Sequence, residues 1–223
     1  MILPRLDGRK IAVVLEHKFI PEEIQAYRSC FGLLGAEVEL LSRLWYGSYQ
    51  PDSNTFLSDI DPNDDQPWQG PHSVMVCRDV SNTNPDDYAA VIMSANYTSV
   101  RLRYTELKRF AELTDGEIDD FDAHAHVKQA PVVQFFARAM ANKQIVKGLL
   151  CHGLWILTPN PLLLRNRKVI CHTVVMADVI NCGARIKLTS TGVVVDDDLV
   201  TGFSKHEVLP FVAAITEQIS KRS

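Results

Sequence analysis

A chain of 223 residues with 46% hydrophobic and 22% charged side chains is long enough to bury a full core, which excludes a disordered or fibrous chain. The formal net charge of −4 argues against nucleic-acid binding and gives no sign of an anionic-membrane anchor. No apolar run approaches the length of a bilayer span, the amino terminus does not read as a signal peptide, and the 5 scattered cysteines fit a reducing cytoplasm.

Strands and helices alternate along the chain, the pattern of a parallel sheet covered on both faces. Residues 10–15, a β-branched run, read as a central strand. Pro21, Glu22 and Glu23 then open a helix, with proline in the first turn and acids matching the dipole. Its apolar residues Ile24, Tyr27, Phe31 and Leu34 step by three and four until Gly35 stops it, and residues 37–41 form the next strand. Residues 43–72 break the rhythm with an acidic stretch rich in Pro, Gly and aromatics. We read it as an insertion within one domain spanning residues 1–223, and as a functional loop or partner surface.

Beyond the insertion the pattern predicts strands at 72–80 and 87–93, a helix over 99–113, an acidic excursion at 115–122 and a helix over 131–143. Residues 145–150 read as a buried strand. Cys151, His152 and Gly153 follow at once, and then an apolar segment that begins a helix. A strand that turns directly into a helix makes a sharp corner and thrusts the corner residue above the carboxyl edge of the sheet. Here that residue is a thiol at a helix amino terminus, where the dipole is expected to lower its pKa. Cys151 is therefore expected to be the most reactive of the five thiols; the other reading is a small buried cysteine. A strand at 168–171, a helix from Thr173, a hairpin over 193–200 and an amphipathic helix over 207–219 complete the chain.

The order of these elements, the Cys151-His152-Gly153 corner and the hairpin from Val193 to Gly202 resemble the PfpI/ThiJ superfamily, of the class I glutamine amidotransferase-like fold. The resemblance runs from Arg9 to about Ile219, apart from 43–72 and 115–127. It implies an α/β, three-layer flavodoxin-like sandwich with a mostly parallel central sheet, a cysteine nucleophile elbow and a late β-hairpin. It also implies that Glu23, twelve residues before Gly35, is the acid that approaches the thiol, with Glu22 the alternative. His152 is either the partner of Cys151 in a dyad or a helix-start histidine bonded to a carbonyl. His172 closes the strand at 168–171, so it lines the pocket at the sheet edge or is a structural histidine.

One departure from the family stands out: Ser94-Ala95 occupies the place of its usual Gly-Gly pair. Backbone N–H groups of Ala95 and His152 are expected to form an oxyanion hole beside Ser94, in a pocket narrowed by the added Cβ atoms. His124 and His126 lie among acids, but no further ligand is fixed by spacing, so no metal and no other cofactor is expected. The resemblance implies a cysteine-dependent enzyme acting on a small carbonyl, amide or nitrile-like substrate, of amidase or peptidase, glyoxalase or hydratase type. The alternative is a non-catalytic redox-sensing or stress-protective protein. A homo-oligomer, a dimer in particular, is expected from the family and from Trp45, Tyr46, Tyr49, Phe56 and Trp68 in the insertion.

Overall fold

Short β-branched segments with no polar interruption build the centre of the molecule. The computed structural model describes residues 4–44, 54–59 and 71–222. The strands are β1 (Lys10–Val14), β2 (Glu37–Ser42), β3 (Thr55–Leu57), β4 (Ser73–Met75), β5 (Arg78–Asp79), β6 (Ala90–Met93), β7 (Val146–Leu150), β8 (Lys168–Val169), β9 (Arg185–Ile186), β10 (Val193–Asp196) and β11 (Leu199–Gly202). The helices are α1 (Pro21–Leu33), α2 (Thr98–Leu102), α3 (Asp115–Asp119), α4 (Ala123–Val127), α5 (Pro131–Ala141), α6 (Thr173–Asn181) and α7 (Val208–Ser220). Seven strands make one sheet in the order β10-β11-β7-β6-β1-β2-β5. Only the β10–β11 pairing in it is antiparallel.

Strand residues alternate between two cores, as the pleat requires. Ile11, Val13, Ala90, Ile92 and Val146 face α1 and α7, where Tyr27, Phe31, Phe211 and Ile215 cover them. Ala12, Val14, Val91, Met93 and Leu149 face α5 and α6, under Val133, Phe136, Val175 and Val179. The result is the three-layer, mostly parallel α/β sandwich that the sequence predicts. Gly148 is glycine because α7 closes tightly: a Cβ there would lie 2.7 Å from Ile215 Cδ1 and 2.9 Å from Phe211 Cζ.

Four expectations are corrected. The helix expected over 99–113 is only α2, followed by irregular chain with a 3₁₀ turn at Phe110–Glu112. Beyond α2 the apolar residues have no core to face, and Tyr104, Leu107 and Phe110 are exposed. The strand expected over 72–80 divides into β4, which forms a hairpin with β3, and β5 at the sheet edge. The acidic excursion and the residues after it carry α3 and α4, because Thr114 and Asp122 accept hydrogen bonds from Glu117 N and Ala125 N as helix caps. Finally, β8 pairs with β9 outside the main sheet. Of the insertion's aromatic residues Phe56 is buried, while Trp45, Tyr46, Tyr49 and Trp68 lie outside the described residues.

Lys147, the second residue of β7, is fully buried and ion-paired with Asp198 at the start of β11. Its ammonium also donates to Asn142 O (2.9 Å), and Arg167 reaches Asp198 at 2.7 Å and Asp196 at 2.6 Å. A buried ion pair tolerates loss of one partner poorly, because the other charge is left stranded. Asp198→Ala is therefore expected to destabilise the protein by ~3–5 kcal/mol, read as a lower midpoint in urea unfolding.

Candidate active site at the strand-to-turn corner

The site begins where β7 stops. Cys151 adopts φ 58°, in the left-handed region that non-glycine residues enter only when held. Three contacts hold it. Cys151 N donates to Gly202 O at 2.8 Å, Ser99 Oγ donates to His152 O at 2.9 Å, and Gly153 packs against β6, where a Cβ would lie 3.0 Å from Met93 O. The glycine of the motif is thus required by close approach.

This corner places Cys151 Sγ 2.9 Å from His152 Nδ1. Adjacent residues on a regular element do not face each other, so the left-handed corner is what brings them together. The His152 ring lies among other rings: Tyr97 at 5.1 Å, Trp155 at 5.2 Å and His172 at 4.8 Å, the last nearly parallel at 19°. His172 therefore does reach the site, although not from the main sheet. It caps α6, its N–H donates to Cys151 O at 3.4 Å, and Phe203 lies beyond it at 5.8 Å.

Glu23 comes from the first turn of α1 and is buried to 1% exposure beneath the corner, whereas Glu22 is half-buried and faces Lys205 at 3.9 Å. The Glu23 carboxyl accepts from Tyr27 Oη at 2.7 Å and from Ala95 N at 2.9 and 3.0 Å. These bonds favour the carboxylate, but burial outweighs them and lifts its pKa to about 8. Burial, with Glu23 as the next cause, pushes the Cys151 thiol up to about 12, and burial with His172 lowers His152 to about 4. At neutral pH the thiol and the imidazole are both uncharged, and Glu23 is largely protonated.

This corrects the expectation of a thiol with a lowered pKa. No α-helix starts at the corner; a single 3₁₀ segment, Gly153–Leu157, does, and its short dipole cannot offset a thiol that is only 6% exposed. Cys77, not Cys151, is the exposed thiol among the five. The oxyanion expectation is corrected as well. Ala95 N–H is bonded to Glu23, and buried Ser94 directs its hydroxyl to Thr98 Oγ1 at 3.1 Å. The backbone N–H groups of Asn96 and His152 act on the thiol in the direction opposite to burial, favouring its anion.

Asn96, absent from the sequence reading, and neither Ser94 nor Ala95, carries the left-handed conformation of this loop (φ 64°). Asn tolerates that region better than most residues, so an Asn just past a strand end was the available signal. Its side chain donates to Lys18 O at 2.7 Å and Asp59 Oδ2 at 2.8 Å, which ties the site to the β3 segment. Tyr97 and Trp155, which flank the His152 ring, and Tyr27, which holds Glu23, were also missed; each reads as an ordinary core or surface aromatic. His124 and His126 lie two apart on α4, a spacing that does not face one way, and His126 Nε2 meets Thr105 Oγ1 at 2.8 Å. Among the described residues no three metal-ligating side chains converge.

Comparison with known proteins finds a similar family over part of the chain and a similar fold over nearly all of it. The DJ-1/PfpI family pattern matches residues 122–218, which include the Cys-His-Gly corner, His172 and the late hairpin. A ThiJ/PfpI domain protein from Brachyspira murdochii shares the fold with a TM-score of 0.68 and 15% identity, over 97% of this chain and 99% of that one. Residues 122–218 are thus similar to the DJ-1/PfpI family, and the fold of the chain is that of ThiJ/PfpI and DJ-1 structures. Schizosaccharomyces pombe DJ-1 matches with a TM-score of 0.63 and 13% identity over 96% of each chain. A two-domain protein from Anabaena variabilis with DJ-1/ThiJ/PfpI-like and ferritin-like domains matches at 0.68 and 16% identity, over 96% of this chain but 48% of that one, so this chain spans about half its length. No curated protein matches the sequence.

Glu23 makes a pH-dependent contribution to stability whose sign follows from its position. Unfolded, its carboxyl releases a proton near 4.5; folded, it holds the proton up to about 8. The unfolded state thus binds fewer protons across that window, and stability falls as pH rises through it. Urea unfolding from pH 5 to pH 9 is expected to show this decline, and Glu23→Gln is expected to flatten it. An unchanged slope in the variant would show that Glu23 ionises normally.

Proposed function

We propose that this protein is a cysteine-dependent enzyme that acts on a small carbonyl, amide or nitrile-like carbon. The supporting observation is the 2.9 Å approach of Cys151 Sγ to His152 Nδ1 at a left-handed corner. Sulfur attacks the electrophilic carbon as Nδ1 takes the thiol proton, so that the thiolate need not accumulate at rest. The imidazolium formed is disfavoured by burial, and the negative oxygen or nitrogen developing on the substrate offsets this. Asn96 N–H and His152 N–H, which favour negative charge at the sulfur, are the donors this reading assigns to that charge. His152 then returns the proton to the leaving or product atom. Glu23, protonated at neutral pH, keeps a competing negative charge away from the sulfur. His172, stacked on His152, orients the ring.

A second reading, redox sensing through Cys151, draws support from the engagement of Ala95 N–H by Glu23, which removes one donor from an oxyanion hole. Turnover separates the two. Purified protein assayed against ketoaldehydes, amides and nitriles is expected to turn over one class, and Cys151→Ala is expected to abolish this. His152→Ala is expected to lower kcat/KM by ~10²–10⁴-fold. His172→Ala is expected to lower it less, with the thermal midpoint retained. Turnover that survives Cys151→Ala overturns the proposal; no turnover with any class, alongside Cys151 oxidation by peroxide, selects the sensor.

We further propose a homodimer in a reducing compartment such as the cytoplasm. Exposed Leu57 and Met75 on the β3–β4 hairpin and five free cysteines support this reading. No described helix is long and apolar enough to cross a membrane. Sedimentation at micromolar concentration is expected to give twice the 25.0 kDa chain mass; a single species at 25.0 kDa refutes the dimer.

A further inference from the structure

The chain holds two Cys-His dipeptides, Cys151-His152 and Cys171-His172, and the fold sets them side by side. His172 N–H donates to Cys151 O at 3.4 Å, and the two imidazoles stack at 4.8 Å. The α-carbons of Cys151 and Cys171 are each two covalent bonds from the ends of that hydrogen bond, a separation on the order of the ~4.4–6.8 Å that a disulfide spans. Cys171 is fully buried, takes no part in the chemistry proposed above, and lies close enough to Cys151 that charge on one opposes charge on the other. We propose that Cys171 is a resolving thiol, which captures oxidised Cys151 as an intramolecular Cys151–Cys171 disulfide. The inference rests on the reading of Cys151 as the reactive thiol.

The oxidant is a hydroperoxide. The Cys151 sulfur attacks its terminal oxygen; the S–O bond forms, the O–O bond breaks, and the thiol proton leaves with the departing alcohol or water. The resulting sulfenic acid is attacked by the Cys171 sulfur. The S–S bond forms, the S–O bond breaks, and hydroxide leaves as water with the Cys171 proton. Two thiols lose two electrons and one peroxide gains them.

The elbow sets a condition on this step. Cys151 packs with the core under α1 and α7, and Cys171 with the core under α5 and α6. Bridging them requires Cys151 to leave its left-handed conformation, which the intrinsic preference of a non-glycine residue favours. Disulfide formation therefore withdraws the sulfur from His152 and silences the site reversibly. Without Cys171, the same oxidant carries Cys151 on to the irreversible sulfinic acid.

The test is peptide mapping of the whole protein after graded peroxide, without reductant. The expected product is a Cys151–Cys171 cross-linked peptide, reversed by dithiothreitol with recovery of free Cys151. In Cys171→Ala, sulfinic Cys151 is expected to become the main product. Sulfinic Cys151 with free Cys171 in the wild-type protein overturns the resolving role and leaves the reading of Cys151 intact. Cys151 left unoxidised overturns both. The wild-type map decides the matter even where the buried substitution impairs folding.

Discussion

The left-handed turn at Cys151 is the constraint on which the rest of the site depends. A strand that continued in extended conformation would carry Cys151 and His152 to opposite faces of the sheet. Reversal of φ at one residue puts sulfur and imidazole in contact and starts the next segment across the top of β6. Such a conformation costs about 1–3 kcal/mol, so it persists only where the surroundings overdetermine it. Here they do: Gly202 O, Ser99 Oγ and the closeness of Met93 O to Gly153 each fix a different atom of the corner. The late hairpin, α2 and β6 thereby become supports of a single dihedral angle.

The electrostatics follow from how deeply that corner is sunk. With the thiol 6% and the imidazole 8% exposed, desolvation outweighs every local hydrogen bond, and the charged forms of both groups are disfavoured. The acid below obeys the same rule, since its two donors cannot hold it ionised. The assembly is neutral at rest, and a charge develops only when a reactant brings a compensating one. This differs from a thiolate–imidazolium pair standing ready in water, and it suits a thiol that must survive between encounters.

Much of the architecture was legible because the chain is locally consistent. Val13, Val91 and Val146 lie in runs that only buried strands use, and the Asp-rich turn between β10 and β11 reads directly as a hairpin. Cys151, His152, Glu23 and His172 were all singled out from the sequence, and the structure brings the four together. The errors have a common origin in groups whose behaviour depends on distant neighbours. The thiol pKa was judged from a helix that never forms, because Pro159 and Pro161 leave room only for a 3₁₀ segment. Ala95 N–H was assigned to an oxyanion without knowledge that a carboxyl 72 residues away accepts from it. The segment from Tyr104 to Phe110 has helical spacing but no wall to lie against.

The buried Lys147–Asp198 contact has a consequence for how the chain finds its alignment. β11 is the last strand to enter the sheet in sequence order, and hydrophobic residues alone would let Leu199 and Val200 lie against β7 at more than one offset. A slip by one position would turn the pleat over, and a slip by two would carry Asp198 away from Lys147. Either error leaves a cation enclosed in apolar surroundings, a state several kcal/mol above the native one. The salt link thus acts as a key that only one alignment turns. The price in desolvation is met by fidelity: the carbonyl of Gly202, on which the corner hangs, arrives opposite Cys151 and nowhere else.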